Sequence, residues 1–155
     1  MIDEFIAYFT DKELFDSEHV YQLGSEWYLV PHELFALGKN QPRQPVFVGT
    51  FLGKQHGERF APGVALLELL APHAAKVEVS DKAAWLFVCG KDVLQPSILS
   101  ATHAIKLHQR VLVMCKSEVI GIGKVMGSMT EQKTIIKNVF DIGDFLRRER
   151  PRTRR

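Results

Sequence analysis

Hydrophobic positions at helical spacing open the chain. Isoleucine and phenylalanine occupy positions 2, 5, 6 and 9, and the acidic residues Asp3 and Glu4 occupy the first turn. This pattern predicts a short amphipathic helix over residues 2–9. Two β-prone runs follow, Val20–Leu23 and Trp27–Val30, and the turn residues between them predict a hairpin.

Prolines separate the next elements of the first half. Residues 32–37 lie between a proline and a glycine, which predicts a helix of under two turns. Val46–Gly53 is an apolar run typical of a central strand. Pro62 is expected to open a mostly buried helix over the apolar stretch Val64–Ala71. We place a domain boundary within residues 71–76.

Short strands joined by turns dominate the second half. The apolar run Ala84–Cys89 is interpreted as a buried strand, and Pro96–Ala101 as a short helix. Further strands are predicted at Lys76–Val79, Gln109–Met114, Val119–Val125 and Thr134–Val139. Such a succession of short strands is typical of a compact β-barrel or sandwich.

The composition is that of a globular intracellular protein. Hydrophobic residues make up 46% of the 155 positions and charged residues 25%, which suffices for a core without disulfides. No apolar run approaches the roughly 18 residues of a membrane span. The acidic start MIDEF differs from the basic start of a signal peptide. We therefore expect Cys89 and Cys115 to be reduced residues that pack in the interior.

Charge is distributed unevenly between the two halves. Residues 1–75 carry 5 lysines and arginines against 10 acidic residues, whereas residues 76–155 carry 15 against 8. Six of those fifteen basic residues are arginines in the closing segment RRERPRTRR. A basic half favours nucleic acid as its partner. The alternative is a frayed tail that only aids solubility.

The motifs of enzymes and metalloproteins are incomplete in this chain. Gly49–Gln55 has three residues between its glycines, where a phosphate-binding loop has four, and no Ser or Thr follows its lysine. The glycine that follows Gly121 and Gly123 comes one position late for a dinucleotide fingerprint. The six histidines and two cysteines match no zinc spacing. We therefore predict no catalytic residue, no cofactor and no metal site.

Two glycines in one predicted strand allow two interpretations. Gly121 and Gly123 alternate with isoleucines, so they are expected on one face of the strand. Glycine within a strand marks a bulge, a tight barrel bend or the close approach of another backbone. The pattern therefore fits either barrel geometry or room for a nucleic-acid strand.

Basic residues near the end of the chain predict an RNA-binding surface. Lys133 and Lys137 are four apart and would share one face of a strand. Cations on one face neutralise phosphates and release counterions, which drives binding to nucleic acid. The predicted contacts are Lys133, Lys137, Arg147, Arg148, Lys124 and Arg150. The alternative is a solvated strand edge on which lysines prevent aggregation.

The order of five motifs resembles one known family. It is similar to the ribosome-biogenesis factors of the nuclear-import-seven type, found in archaea and eukaryotes. The similarity covers roughly residues 46–149, and the closing DIGDFLRR and the GTFLGK…LAPHA pair are its most distinctive parts. The motifs in order are VFVGTFLGK, LLELLAPHAAKVEV, AAWLFVCGKDVL, VLVM…VIGIGKV and IIKNVFDIGDFLRRE.

The resemblance implies an α+β chain. Its parts would be an N-terminal α/β domain with a mostly antiparallel sheet (residues 1–74), a PUA-type β pseudo-barrel that binds RNA (75–150) and a basic tail (151–155). The family's basic cluster matches Lys133 and Lys137. Two further basic positions of that cluster are Thr134 and Phe140 in this chain, which lowers the expected charge.

The resemblance also implies a function. The chain would be a non-enzymatic, cytoplasmic factor, of the archaeal kind, in pre-rRNA processing and large ribosomal subunit assembly. Its PUA domain would bind pre-rRNA or rRNA, including uridine-rich single strands, and its N-terminal domain would bind ribosome-assembly proteins; no membrane is involved. The alternatives are a protein-interaction adaptor that uses the acidic N-terminal half, and the targeting module of an RNA-modifying enzyme.

Overall fold

The chain divides into two units, Met1–Pro72 and His73–Arg155. The structure is a computed structural model, and it describes residues 1–34, 49–102, 105–127 and 134–148. No helix within these ranges is both long enough and apolar enough to cross a membrane.

The first unit contains an antiparallel sheet and helices. The predicted opening helix and hairpin are confirmed by the positions of α1, β1 and β2. The four strands pair in chain order, β1-β2-β3-β4. The elements are α1 (Ile2–Ala7), β1 (Val20–Leu23), β2 (Glu26–Leu29), β3 (Thr50–His56), β4 (Arg59–Pro62) and α2 (Val64–Leu70).

Two predictions in this unit need adjustment, and a third is tested only in part. The strand expected at Val46–Gly53 starts at Thr50 and extends to His56, and residues 46–48 lie outside the described ranges. Pro62 ends β4 instead of opening the helix, because Gly63 is the N-cap of α2. Of the helix expected at 32–37, residues 32–34 are helical and the rest lies outside the described part.

Polar groups link β2 to β3 beside the core of this unit. Glu26 lies opposite Lys54 in the antiparallel register. Its carboxylate accepts hydrogen bonds from the Tyr28 hydroxyl at 2.6 Å and from Lys54 Nζ at 2.9 Å. The hydrogen bond to Glu26, together with burial, raises the pKa of Tyr28 to about 12. The same hydrogen bond from Tyr28, followed by that from Lys54, lowers the pKa of Glu26.

The second unit is a nearly closed β pseudo-barrel. Its six strands pair in the order β6-β10-β9-β8-β5-β7, and all described pairings are antiparallel except β5 with β8. The predicted strands at Lys76–Val79, Gln109–Met114, Val119–Val125 and Thr134–Val139 are confirmed to within two residues. The elements are β5 (Lys76–Val79), α3 (Asp81–Val88), β6 (Val93–Leu94), β7 (Ile98–Ala101), β8 (Arg110–Cys115), β9 (Glu118–Val125), β10 (Thr134–Asp141) and α4 (Gly143–Arg148).

The strand predicted at Ala84–Cys89 is wrong, because residues 84–88 belong to helix α3 and Cys89 is its C-cap. Ser80 is the N-cap, and its side chain accepts a hydrogen bond from the Ala83 backbone N–H. Phe87 is fully buried, whereas Trp85 is 71% exposed. An apolar run of this length carries no strand periodicity of its own, so the capping serine decides the structure.

Two smaller predictions in this unit also fail. The helix expected at Pro96–Ala101 is a single 3₁₀ turn, Gln95–Ser97, followed by strand β7. Cys89 is exposed at the end of α3 and is not an interior packing residue. Cys89 was expected to be buried because residues 84–89 were predicted to form a central strand. A residue at the end of a helix can instead be exposed.

The two glycines of β9 make room for β10 and the barrel core. A Cβ atom on Gly121 would overlap the Phe140 carbonyl oxygen and lie 2.8 Å from Asp141 Cα. A Cβ atom on Gly123 would overlap the side chain of Ile136. The space beside both glycines is therefore filled by the barrel itself, which supports the interpretation as barrel geometry.

Candidate nucleic-acid interface

Three basic residues form a row across the middle of the second sheet. Arg110 on β8 lies opposite Lys124 on β9, and Lys124 lies opposite Lys137 on β10. Directly opposite residues of antiparallel strands project from the same face. Neighbouring strands are about 4.8 Å apart, so the three positions span roughly 10 Å. We call Arg110, Lys124 and Lys137 the basic row.

Strand alternation fixes the orientation of the basic row. Each member has a sequence neighbour in the hydrophobic core: Val111 beside Arg110, Val125 beside Lys124 and Ile136 beside Lys137. These neighbours are at most 2% exposed. Because successive side chains of a strand point to opposite faces, burial of the neighbour turns each cation away from the core. The three cations therefore project from the face opposite these core residues, a face that also carries the buried side chains of Leu112 and Ile122.

The cations of the basic row differ in exposure, and two of them have no neighbouring carboxylate in the described part of the chain. Lys137 is exposed, and Arg110 and Lys124 are partly buried. Among the described residues, no carboxylate lies within 4.0 Å of the ammonium group of Lys124 or Lys137. Like charges directly opposite each other destabilise a sheet. An anion bound beside Lys124 and Lys137 would relieve the repulsion between these two lysines.

A short loop next to the row carries exposed apolar and imidazole groups. The His108 backbone N–H donates to the Val125 carbonyl at 2.8 Å, and the Val125 N–H donates to the Gln109 carbonyl at 3.0 Å. These bonds hold the loop against the end of β9. Leu107 is 59% exposed and Met126 is 43% exposed. The loop therefore offers surfaces for bases beside cations suited to phosphates.

The structure brings together only some of the predicted contacts. Lys124 and Lys137 are direct cross-strand neighbours. Lys133 and Arg150 lie outside the described residues, and Arg148 is the last residue of α4. Arg110 was missed from the sequence, although its place at the start of a predicted apolar strand was visible. The cross-strand register that aligns it with Lys124 could not be read from the chain.

Arg147 makes hydrogen bonds within the second unit. Its guanidinium donates to both carboxylate oxygens of Asp141 and to the Val88 carbonyl oxygen. Asp141 pairs with Gly121, four residues along β10 from Lys137, so this contact lies toward the opposite end of the strands from the row. The hydrogen bond to Asp141 raises the pKa of Arg147. The predicted phosphate contact by Arg147 therefore competes with a structural one.

Sequence comparison identifies the second unit. Residues 75–150 match the UPF0113 PUA domain. No curated protein sequence matches the chain significantly.

A similar solved structure with a TM-score above 0.5 supports the fold. A PUA domain protein from Thermoplasma acidophilum superposes with a TM-score of 0.55 at 23% identity, over 66% of this chain and 72% of that one. A hypothetical protein from Pyrococcus horikoshii OT3 gives 0.49 at 17% identity, over 79% and 72%. A chain of the archaeal box H/ACA sRNP Nop10–Cbf5 complex gives 0.45 at 25% identity, over 53% of this chain but only 27% of that one.

Proposed function

Because residues 75–150 form a PUA domain, a type of domain that typically binds RNA, we propose that this protein binds RNA through the basic row. The observation that carries the proposal is the alignment of Arg110, Lys124 and Lys137 on one face of three adjacent strands. Cations held at fixed spacing neutralise neighbouring phosphates of one RNA strand. The backbone contacts set the position of the RNA without reading its sequence.

The surroundings of the row favour single-stranded or irregular RNA. Exposed Leu107, His108 and Met126 adjoin the row at the end of β9. Bases that are not paired can turn toward such side chains, and an imidazole can stack on them. Paired bases in a duplex cannot do so. Uridine-rich single strands, which the family resemblance suggests, are the first ligands to test.

The cellular role that we propose is ribosome assembly. The motifs between residues 46 and 149 resemble ribosome-biogenesis factors of the nuclear-import-seven type. The protein would act without catalysis in the cytoplasm, on pre-rRNA or rRNA of the large subunit. Crosslinking in cells followed by sequencing of the attached RNA tests this role. Enrichment of large-subunit rRNA supports it, and enrichment of messenger or transfer RNA alone contradicts it.

Direct binding tests the surface itself. The double variant Lys124→Gln/Lys137→Gln removes two charges from the row and keeps the side-chain bulk. We expect its affinity for a uridine-rich single strand to fall about tenfold or more at low salt. The control Arg59→Gln/Lys116→Gln removes two exposed charges elsewhere: Arg59 lies in the first unit, and Lys116 lies at the other end of the β8–β9 hairpin. Equal losses in both variants would contradict the proposal.

A further inference from the structure

The first unit contains an apolar cleft whose lining shares no residue with the basic row. Its volume is about 510 Å³. The cleft lies between α1, the segment of residues 10–15 and the β1–β2 hairpin. Its larger apolar lining residues are Ile2, Ile6, Leu14, Phe15, Val20 and Trp27. Volumes of this size are typical of binding sites, so the cleft is large enough for several apolar side chains of a ligand.

The rim of the cleft is acidic. Asp3, Asp11 and Glu13 line it and are exposed, with Lys12 as the one basic residue in the described lining. The first 19 residues of the chain contain six acidic residues and one lysine. Such a rim repels phosphate groups and attracts cations. The rim therefore disfavours RNA as an occupant and favours a positively charged partner.

One aromatic residue of the lining carries a buried polar group. Among the described residues, Trp27 Nε1 is a buried donor with no hydrogen-bond acceptor. A buried donor without an acceptor costs about 1–3 kcal/mol.

We propose that the cleft binds a basic amphipathic segment of a partner protein. Apolar side chains of that segment would fill the cleft, and its lysines or arginines would lie against Asp3, Asp11 and Glu13. This is the recognition of an amphipathic helix in a groove, in which one apolar face supplies the anchors. The cleft shares no residue with the basic row, so the proposed protein partner and RNA would contact different residues.

The chain offers an internal reporter for this binding. It contains two tryptophans, Trp27 in the cleft and Trp85, which is 71% exposed on α3. In the variant Trp85→Phe, fluorescence reports on Trp27 alone. The probe is a synthetic peptide of about 15 lysines and leucines arranged with helical periodicity. A peptide of the same composition in scrambled order controls for general charge attraction, and a peptide with glutamate in place of lysine controls for apolar attraction.

We expect saturable binding of the helical lysine–leucine peptide alone, with a change in Trp27 emission. In the same background, Asp3→Asn/Asp11→Asn/Glu13→Gln should weaken binding about tenfold, because each exposed ion pair contributes modestly. The matched control Glu33→Gln/Glu58→Gln/Glu68→Gln removes the same charge from exposed positions outside the cleft lining. Circular dichroism verifies that all variants are folded.

Three outcomes overturn the proposal. They are absence of peptide binding, equal binding of the scrambled peptide, and equal loss of affinity in both triple variants. The variant Lys124→Gln/Lys137→Gln separates this proposal from RNA binding. It should bind the peptide as tightly as the parent protein, whatever its affinity for RNA.

Discussion

Arg147 and Asp141 form a bidentate ion pair that joins α4 to β10. The guanidinium donates to the two carboxylate oxygens at 2.9 and 2.8 Å. Asp141 is only 2% exposed, although it is charged. Asn138 also donates to this carboxylate and to the Phe87 carbonyl, which connects the pair to α3. A buried carboxylate with this many donors is a structural element of the barrel.

Removal of the Asp141 charge should destabilise the protein. In Asp141→Asn the guanidinium loses its partner, and we expect the free energy of unfolding to fall by about 2 kcal/mol. This is less than for a fully buried pair, because Arg147 is 40% exposed. Urea unfolding followed by circular dichroism measures the change. Asp144→Asn is the control, since its carboxylate is 3.7 Å from Arg147 and more exposed, and it should change stability by less than about 0.5 kcal/mol.

The role of Arg147 can be separated from that of the basic row. Arg147→Lys keeps the positive charge but loses the planar fork that matches a carboxylate. We expect lower stability with RNA affinity unchanged once the protein is folded. Unfolding curves and RNA titrations of the same preparation provide both readouts. If Arg147→Lys left the free energy of unfolding unchanged and weakened RNA binding, Arg147 would be a phosphate contact.

Gly121 should tolerate no side chain. In Gly121→Ala the new Cβ atom would meet the backbone of Phe140 and Asp141, which cannot move aside without breaking the pairing of β9 with β10. We expect a loss of roughly 3 kcal/mol or more, or failure to fold. Gly24→Ala is the matched control: φ at Gly24 is +59°, but nothing lies within 4 Å of its Cβ position. That variant should lose only about 1 kcal/mol. Thermal unfolding measures both.

Tyr28 should ionise at an unusually high pH. Its pKa of about 12 exceeds the ordinary 10 because its hydroxyl donates to Glu26 and is buried. The neutral form is therefore favoured in the folded state. Its contribution to stability is complete below pH 10 and is lost as the pH rises through 12.

Ultraviolet absorbance of tyrosinate measures this titration, and the difference between the protein and Tyr28→Phe isolates Tyr28. Glu26→Gln should move the midpoint down toward the ordinary value, because it removes the charged acceptor. A midpoint that stays near 12 in that variant would mean that Glu26 is not the cause.

Several features of the fold follow from the sequence alone. The strands that carry the basic row have alternating or continuous apolar patterns bounded by turns, and such patterns identify strands directly. Helix α3 could not be predicted from the apolar pattern, because Ala84–Cys89 is apolar at successive positions and fits a strand equally well. Ser80, followed by Asp81, was the missed signal, since it caps the helix at its first turn.

The candidate site was only partly predictable for a different reason. Lys124 and Lys137 were recognisable as cations on strands, but which residues face each other depends on cross-strand register. Register is set by bulges, such as the shift between Asn138 and Phe140, that the sequence does not reveal. Arg110 could be added to the candidate site only once the strand pairings were known. Arg147 could be assigned to a structural contact only from its hydrogen bonds to Asp141.

The salt dependence of RNA binding tests the central proposal most directly. For single strands, the logarithm of the binding constant falls by about 0.7 per neutralised phosphate for each unit of log salt. Lys124→Gln/Lys137→Gln should reduce the steepness of this slope by about 1.4, whereas Arg59→Gln/Lys116→Gln should leave it unchanged. A slope that is the same in the protein and in the Lys124→Gln/Lys137→Gln variant would show that the basic row does not contact the RNA backbone.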